Sequence, residues 1–94
     1  MGLLFEWDPK KARLNLKRHG VSFEEASTAF RDPLSHTIKD PLHSEKEERF
    51  VLIGRTIQGR LLVIVHTDRG ERIRIISARM ATKNERLRYE ENEK

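Results

Sequence analysis

Ninety-four residues are too few for two independent cores, so residues 1–94 are expected to form one domain. Hydrophobic and charged residues each make up 36% of the chain, the net charge is +4 and there is no cysteine, which excludes disulfides and cysteine-based zinc sites and points to a reducing, cytoplasmic setting. Acids at Glu6 and Asp8 argue against a secretory leader, and the longest apolar run, Leu61 to Val65, is far too short to cross a bilayer, so no membrane partner is expected.

Leu3 to Trp7 is short and apolar and reads as a first strand. Asp8-Pro9 supplies a helix N-cap and a proline at the first helical position. Ala12, Leu16 and His19 then recur at helical spacing, and Gly20 is placed to end the helix. Ser22-Phe23-Glu24-Glu25 is a capping box with Val21 as a staple against Ala26. It predicts a second helix to about Phe30, burying Phe23, Ala26 and Phe30, and stopped by Arg31-Asp32-Pro33.

Ser35 to Lys39 reads as a short edge strand and Asp40 to Lys46 as a polar loop. Three stronger strands follow, at Arg49–Thr56, Arg60–Thr67 and Glu71–Ser77. Ile57-Gln58-Gly59 and Asp68-Arg69-Gly70 separate them, each with the glycine a tight hairpin loop needs. Thr82-Lys83-Asn84-Glu85 is another capping box, opening a helix to about Glu91. The expected class is α+β: an antiparallel sheet with two N-terminal helices and one C-terminal helix.

Two three-residue hairpin loops fix the register by counting. Phe50 then faces His66, His66 faces Arg72, and Ile64 faces Arg74. One face would carry Val51, Ile53, Leu61, Val63, Val65, Ile73 and Ile75 and hold the helices. The other would carry Phe50, Leu52, Leu62, Ile64 and Ile76 with His66, Arg72 and Arg74. A histidine and two arginines beside an apolar floor suit phosphodiester chemistry: arginine gives fixed charge and bidentate hydrogen bonds to phosphate, and histidine exchanges protons near neutral pH. The plain alternative makes the arginines a solvated face and His66 a hairpin-end residue.

Charge placement agrees with a polyanionic partner. Between Arg55 and Arg88 there are nine Lys or Arg against three acids, and residues 10–18 hold Lys10, Lys11, Arg13, Lys17 and Arg18 with no acid among them. His19 suits the C-terminal end of a helix dipole as well as it suits an RNA site. Glu24 and Glu25 read as first-turn and capping residues, Trp7 as core, and Tyr89 as either core or a stacking platform. His36 and His43 lack metal-ligand spacing, and no zinc motif, phosphate loop or nucleophile elbow occurs, so neither metal nor cofactor is expected.

Phe5-Glu6-Trp7-Asp8-Pro9, Lys11-Ala12, Asn15 and His19-Gly20-Val21-Ser22-Phe23-Glu24-Glu25-Ala26 resemble the opening of BrnT-type toxins. Glu48-Arg49-Phe50, Ile53-Gly54, Arg60-Leu61-Leu62, His66-Thr67, Arg69-Gly70, Ile73 through Arg79, Thr82, Glu85, Arg86 and Tyr89-Glu90 continue the match in order. The resemblance implies a RelE-like fold and a ribonuclease that arrests translation. It also implies a cognate antitoxin with a DNA-binding domain, joined to the toxin in a hetero-oligomer that reaches operator DNA through the antitoxin. On that basis Arg79, in Ser77-Ala78-Arg79, is the first candidate to stabilise transition-state charge, Arg74 the second, and His66 the acid or base. Arg72, Lys17 and His19 are candidate RNA contacts. The rival is a non-catalytic basic module that binds nucleic acid or acts mainly as the antitoxin's partner in operon autoregulation.

Overall fold

The computed structural model describes residues 2–40 and 47–91, so His43 and all but the first residue of the expected polar loop lie outside the described residues. In chain order the elements are β1 (Leu4–Glu6), α1 (Pro9–His19), α2 (Phe23–Thr28) with a 3-10 turn at Ala29–Arg31, β2 (His36–Lys39), β3 (Arg49–Arg55), β4 (Leu61–Arg69), β5 (Arg72–Met80) and α3 (Lys83–Glu91). The strands form one sheet in the order β1-β5-β4-β3-β2. It is mixed and not wholly antiparallel, because β1 pairs with β5 in parallel. No hairpin joins those two strands, so none fixes their relative direction. Among the described residues no helix is long and apolar enough to cross a membrane.

Local chemistry sets the helix ends. The Asp8 carboxylate accepts the Lys10 amide at 2.8 Å, and Gly20 takes a left-handed φ of 68° that lets its amide reach the Leu16 carbonyl. At α2 only half of the capping box forms. Ser22 Oγ accepts the Glu25 amide at 3.0 Å, while the Glu25 carboxylate is taken by Arg60 and the Thr56 hydroxyl. At α3 the box is reciprocal, with Thr82 and Glu85 each accepting the other's amide.

Of the expected Ala12/Leu16/His19 stripe on α1 only Ala12 packs against the core. Leu16 is 52% exposed, and Asn15 is buried in its place. The Asn15 amide donates to the carbonyls of Ala78 and Val21 and accepts the Ala78 amide at 3.1 Å. Beyond the short reach of β1, Asn15 therefore does for β5 what a neighbouring strand would do.

Register corrects the expected faces. β3 and β4 pair as counted, with Phe50 opposite His66 and Leu52 opposite Ile64. The next hairpin does not, because β4 continues through Arg69 and leaves the two-residue loop Gly70-Glu71. Gly70 has φ 60° and no other residue of that loop is positive, the pattern of a type II′ turn. His66 therefore faces Ile75, Thr67 faces Arg74, and a bulge between Val65 and His66 shifts the pairing again so that Val63 faces Arg79. Arg72 and Arg74 leave the His66 face and join Val63, Val65 and Arg79 on the other.

The two N-terminal helices also lie on the face opposite to the one expected. Leu52, Leu62, Ile64, Ile75 and Ala78 form the main core with Val21, Phe23, Ala26 and Ala29 of the N-terminal helices. Contact there is close enough to require a glycine: a Cβ on Gly54 would stand 2.9 Å from the Ala29 carbonyl oxygen. α3 covers part of the opposite face, where Leu61 and Val63 are buried. Both sides of β4 are thus covered, which explains its unbroken apolar run.

Candidate functional site

A single lateral row crosses the sheet on the α3 side. Arg79 on β5 pairs with Val63 on β4, Val63 with Ile53 on β3, and Ile53 with His36 on β2. Paired residues point the same way, so Arg79 and His36 share a face, three strand spacings or about 14 Å apart. α3 lies over the middle of this row. Between it and the sheet edge is a cleft of about 300 Å³, lined by His36, Ile38, Val51, Ile53, Glu85, Arg88 and Tyr89. That volume is at the low end for small-molecule sites.

Arg79 does not itself line this cleft; a fork ties it to Glu85, which does. Its Nη1 and Nη2 donate to the two carboxylate oxygens of Glu85 at 2.8 and 2.9 Å, and Nη1 also reaches the Met80 carbonyl. The hydrogen bonds from Arg79 hold the Glu85 carboxyl down at about 2, so it stays ionised at neutral pH. The guanidinium is fixed in direction, half-exposed, and keeps N–H groups beyond those spent on Glu85. α3 is anchored at its other end by Tyr89, whose hydroxyl donates to Asp32 and whose ring lies under Arg55. Burial would raise the Asp32 carboxyl, but hydrogen bonds from Tyr89 and from the Arg55 and Leu34 amides outweigh it and hold the group low.

Arg74 occupies the same face further back along β5. It pairs with Glu6, its neighbour across the β1–β5 ladder, at 2.7 Å. Arg72 lies beyond it, exposed. Arg79, Arg74 and Arg72 are therefore brought to one face. His66 is not: it sits on the core face, 6% exposed, edge-on to Phe30 and stacked on Phe50. Burial lowers its pKa, so the ring is neutral at pH 7. A sealed imidazole on the wrong side of the sheet cannot serve a phosphate beside Arg79.

His19 lies elsewhere again, in a groove of about 230 Å³ between α1 and β5 that also includes Lys11, Arg18 and Ser77. Lys17 is exposed but stands roughly 200° around the helix from Asn15, away from that groove. Sequence reasoning missed His36 and Arg88 in the cleft and the pairing of Glu85 with Arg79. His36 alternates with Ile38 on an edge strand, a usable signal, but the β2–β3 register could not be counted through an irregular connection. Among the described residues no three metal-ligating side chains converge.

The profile of one protein family, described as the ribonuclease toxin BrnT of type II toxin–antitoxin systems, matches residues 7–85. Among solved structures, the 1.1 Å crystal structure of the Brucella abortus ribonuclease toxin BrnT shares the fold, with a TM-score of 0.65 and 22% identity over 87% of this chain and 100% of that one. A search of curated protein sequences gives no match.

Proposed function

Because the chain belongs to the BrnT family of ribonuclease toxins of type II toxin–antitoxin systems, we propose that it cleaves RNA without a metal ion, on the α3 side of the sheet between Arg79 and His36. The observation that carries this reading is the Arg79–Glu85 fork, which ties the arginine to a residue lining the cleft. A guanidinium clamped by an ionised carboxylate offers its remaining donors in a fixed direction, which suits the charge that builds on phosphorus oxygens during transfer.

In the proposed reaction the 2′-oxygen of a ribose attacks the adjacent phosphorus and the bond to the 5′-oxygen breaks. The 2′-hydroxyl proton must leave and a proton must reach the departing oxygen, so a 2′,3′-cyclic phosphate and a free 5′-hydroxyl result. His36 takes the acid–base role first assigned to His66, accepting the first proton and returning it to the 5′-oxygen. Glu85 is too weak a base for that work with its carboxyl near 2. Arg74 would hold a neighbouring phosphate, and Arg72, Lys17 and His19 would contact RNA further out.

The wider reading has the fold as RelE-like, residues 1–94 as one toxin domain in the cytoplasm, and RNA cleavage as the cause of translational arrest. A cognate antitoxin follows from the family. Its DNA-binding domain, and operator binding by the heteromer, are part of the proposal. The test incubates purified protein with an RNA oligonucleotide in excess chelator. Cyclic-phosphate products are expected, with Arg79→Ala slower by about 10²–10³-fold. Expression alone should stop growth, and a neighbouring reading frame should relieve it.

One observation favours the rival binding module: Arg74 and Arg79 are each already paired with a carboxylate, as structural arginines are. Under that reading RNA is retained uncut in the same assay, with affinity falling steeply as salt rises.

A further inference from the structure

The cations of this protein fall into two groups. Among the described residues Lys39, Arg60, Arg69, Arg74 and Arg79 each have a carboxylate partner. Along α1 the situation is reversed. Pro9–His19 contains no acid, and although the N-cap Asp8 lies within the field of Lys11, Lys11, Arg18 and His19 make no ion pair among the described residues. Residues 11 and 18 are two turns apart on one side of the helix, which brings Lys11 and Arg18 into the groove against β5 with His19 at its end. The groove has a rigid floor, since Asn15 is buried and bound to the β5 backbone at both Ala78 groups.

Ser77 connects this groove to the cleft side. It lines the groove and pairs with Val65, two residues before Arg79, which pairs with Val63. Ser77 and Arg79 thus point to the same face of β5, about 7 Å apart along the strand. A chain whose reacting phosphate sits at Arg79 can cross Ser77 directly into the α1–β5 groove. We infer that this groove is the track for the single-stranded RNA backbone flanking the cleavage point, with Lys11 and Arg18 on separate phosphates along the strand and His19 at the far end. The inference rests on the ribonuclease reading above and adds a substrate path to it. Unpaired cations over a fixed floor suit binding that follows the backbone without reading bases.

The test compares the whole protein with the double variant Lys11→Ala/Arg18→Ala. The control is Lys10→Ala/Arg13→Ala, which removes the same charge from other sides of α1. Two substrates are used, a twelve-nucleotide single-stranded RNA and a dinucleotide. The groove variant should bind the longer RNA about tenfold more weakly, with its log–log salt slope reduced by about 1.4, at roughly 0.7 for each lost phosphate contact. Its dinucleotide cleavage should be unchanged, and the control should lose much less affinity. Equal losses in groove variant and control would overturn the track, leaving only a diffuse field. A parallel fall in dinucleotide cleavage would also overturn it, by placing the groove in the reacting centre. RNA bound through the groove but left uncut would remove the ribonuclease reading while leaving the track standing, and no RNA binding at all would remove the track.

Discussion

Both ring nitrogens of His66 are buried without a hydrogen-bond partner, and the ring lies against Phe30 and Phe50. An unmet polar group of this kind costs about 1–3 kcal/mol. Burial depresses the folded-state pKa below the unfolded value of about 6.5, so the unfolded chain binds the proton more readily. The neutral ring's contribution is therefore present above pH 6.5 and lost as pH falls through the folded pKa. His66→Leu should raise the melting temperature at pH 7.5 by a few degrees, on the order of 1 kcal/mol. It should also flatten the decline below pH 6.5, and leave RNA cleavage intact. Cleavage lost from a folded His66→Leu protein would return His66 to the site. Arg79 sets the opposite expectation. Arg79→Lys keeps the charge but not the fork onto Glu85, so it should retain no more than about a tenth of wild-type cleavage while lowering the melting temperature by no more than a few degrees. Arg79 could be picked out from its motif, but Glu85 could not be recognised as its partner. A capping glutamate and an arginine-orienting glutamate look the same in sequence, and Glu85 is both.

The elements themselves were largely legible because their ends are written in local chemistry: Asp8-Pro9, Gly20, Ser22 and Thr82 all act where they stand. Orientation was not, because it depends on loop length. Reading Asp68-Arg69-Gly70 as a three-residue loop instead of Gly70-Glu71 as a two-residue one moved Arg72 and Arg74 to the wrong face, and a bulge at His66 has no sequence mark of its own. α1 was misjudged for a related reason: its anchor is an amide, and hydrophobic periodicity does not see amides. Asn15 joins α1 to β5 and to the start of α2 through three hydrogen bonds. Asn15→Ala would leave buried backbone groups at Ala78 and Val21 unmet and should cost about 2–3 kcal/mol in urea unfolding. Asn15→Asp, which keeps the acceptor and loses the donor, should lose nearly as much. A loss below about 0.5 kcal/mol in both variants would mean that α1 is held by its apolar contacts at Ala12 instead.

Across the whole molecule the sheet has an apolar layer on each side, so hydrophobic pattern alone could not say which face carries the chemistry. The charge distribution could, in part. The paired arginines of the sheet contribute little far field, because each sits within about 3 to 4 Å of a carboxylate. The acid-free α1, offset only at its start by the capping Asp8, supplies positive potential that a polyanion meets at a distance. This division separates capture from chemistry, and salt can resolve the two. Screening acts on the exposed cations of α1 and less on the half-exposed Arg79–Glu85 pair, whose charges are in direct contact, well inside a Debye length. Raising salt from 50 to 200 mM should therefore lower kcat/KM for a long RNA by an order of magnitude or more, while kcat at saturating RNA changes less than about twofold. For a dinucleotide, which is too short to reach α1 from Arg79, both constants should be nearly flat over the same range. If kcat itself fell with salt, the mobile field of α1 would have to act on the reacting phosphate, and the fixed fork at Arg79 would no longer account for catalysis.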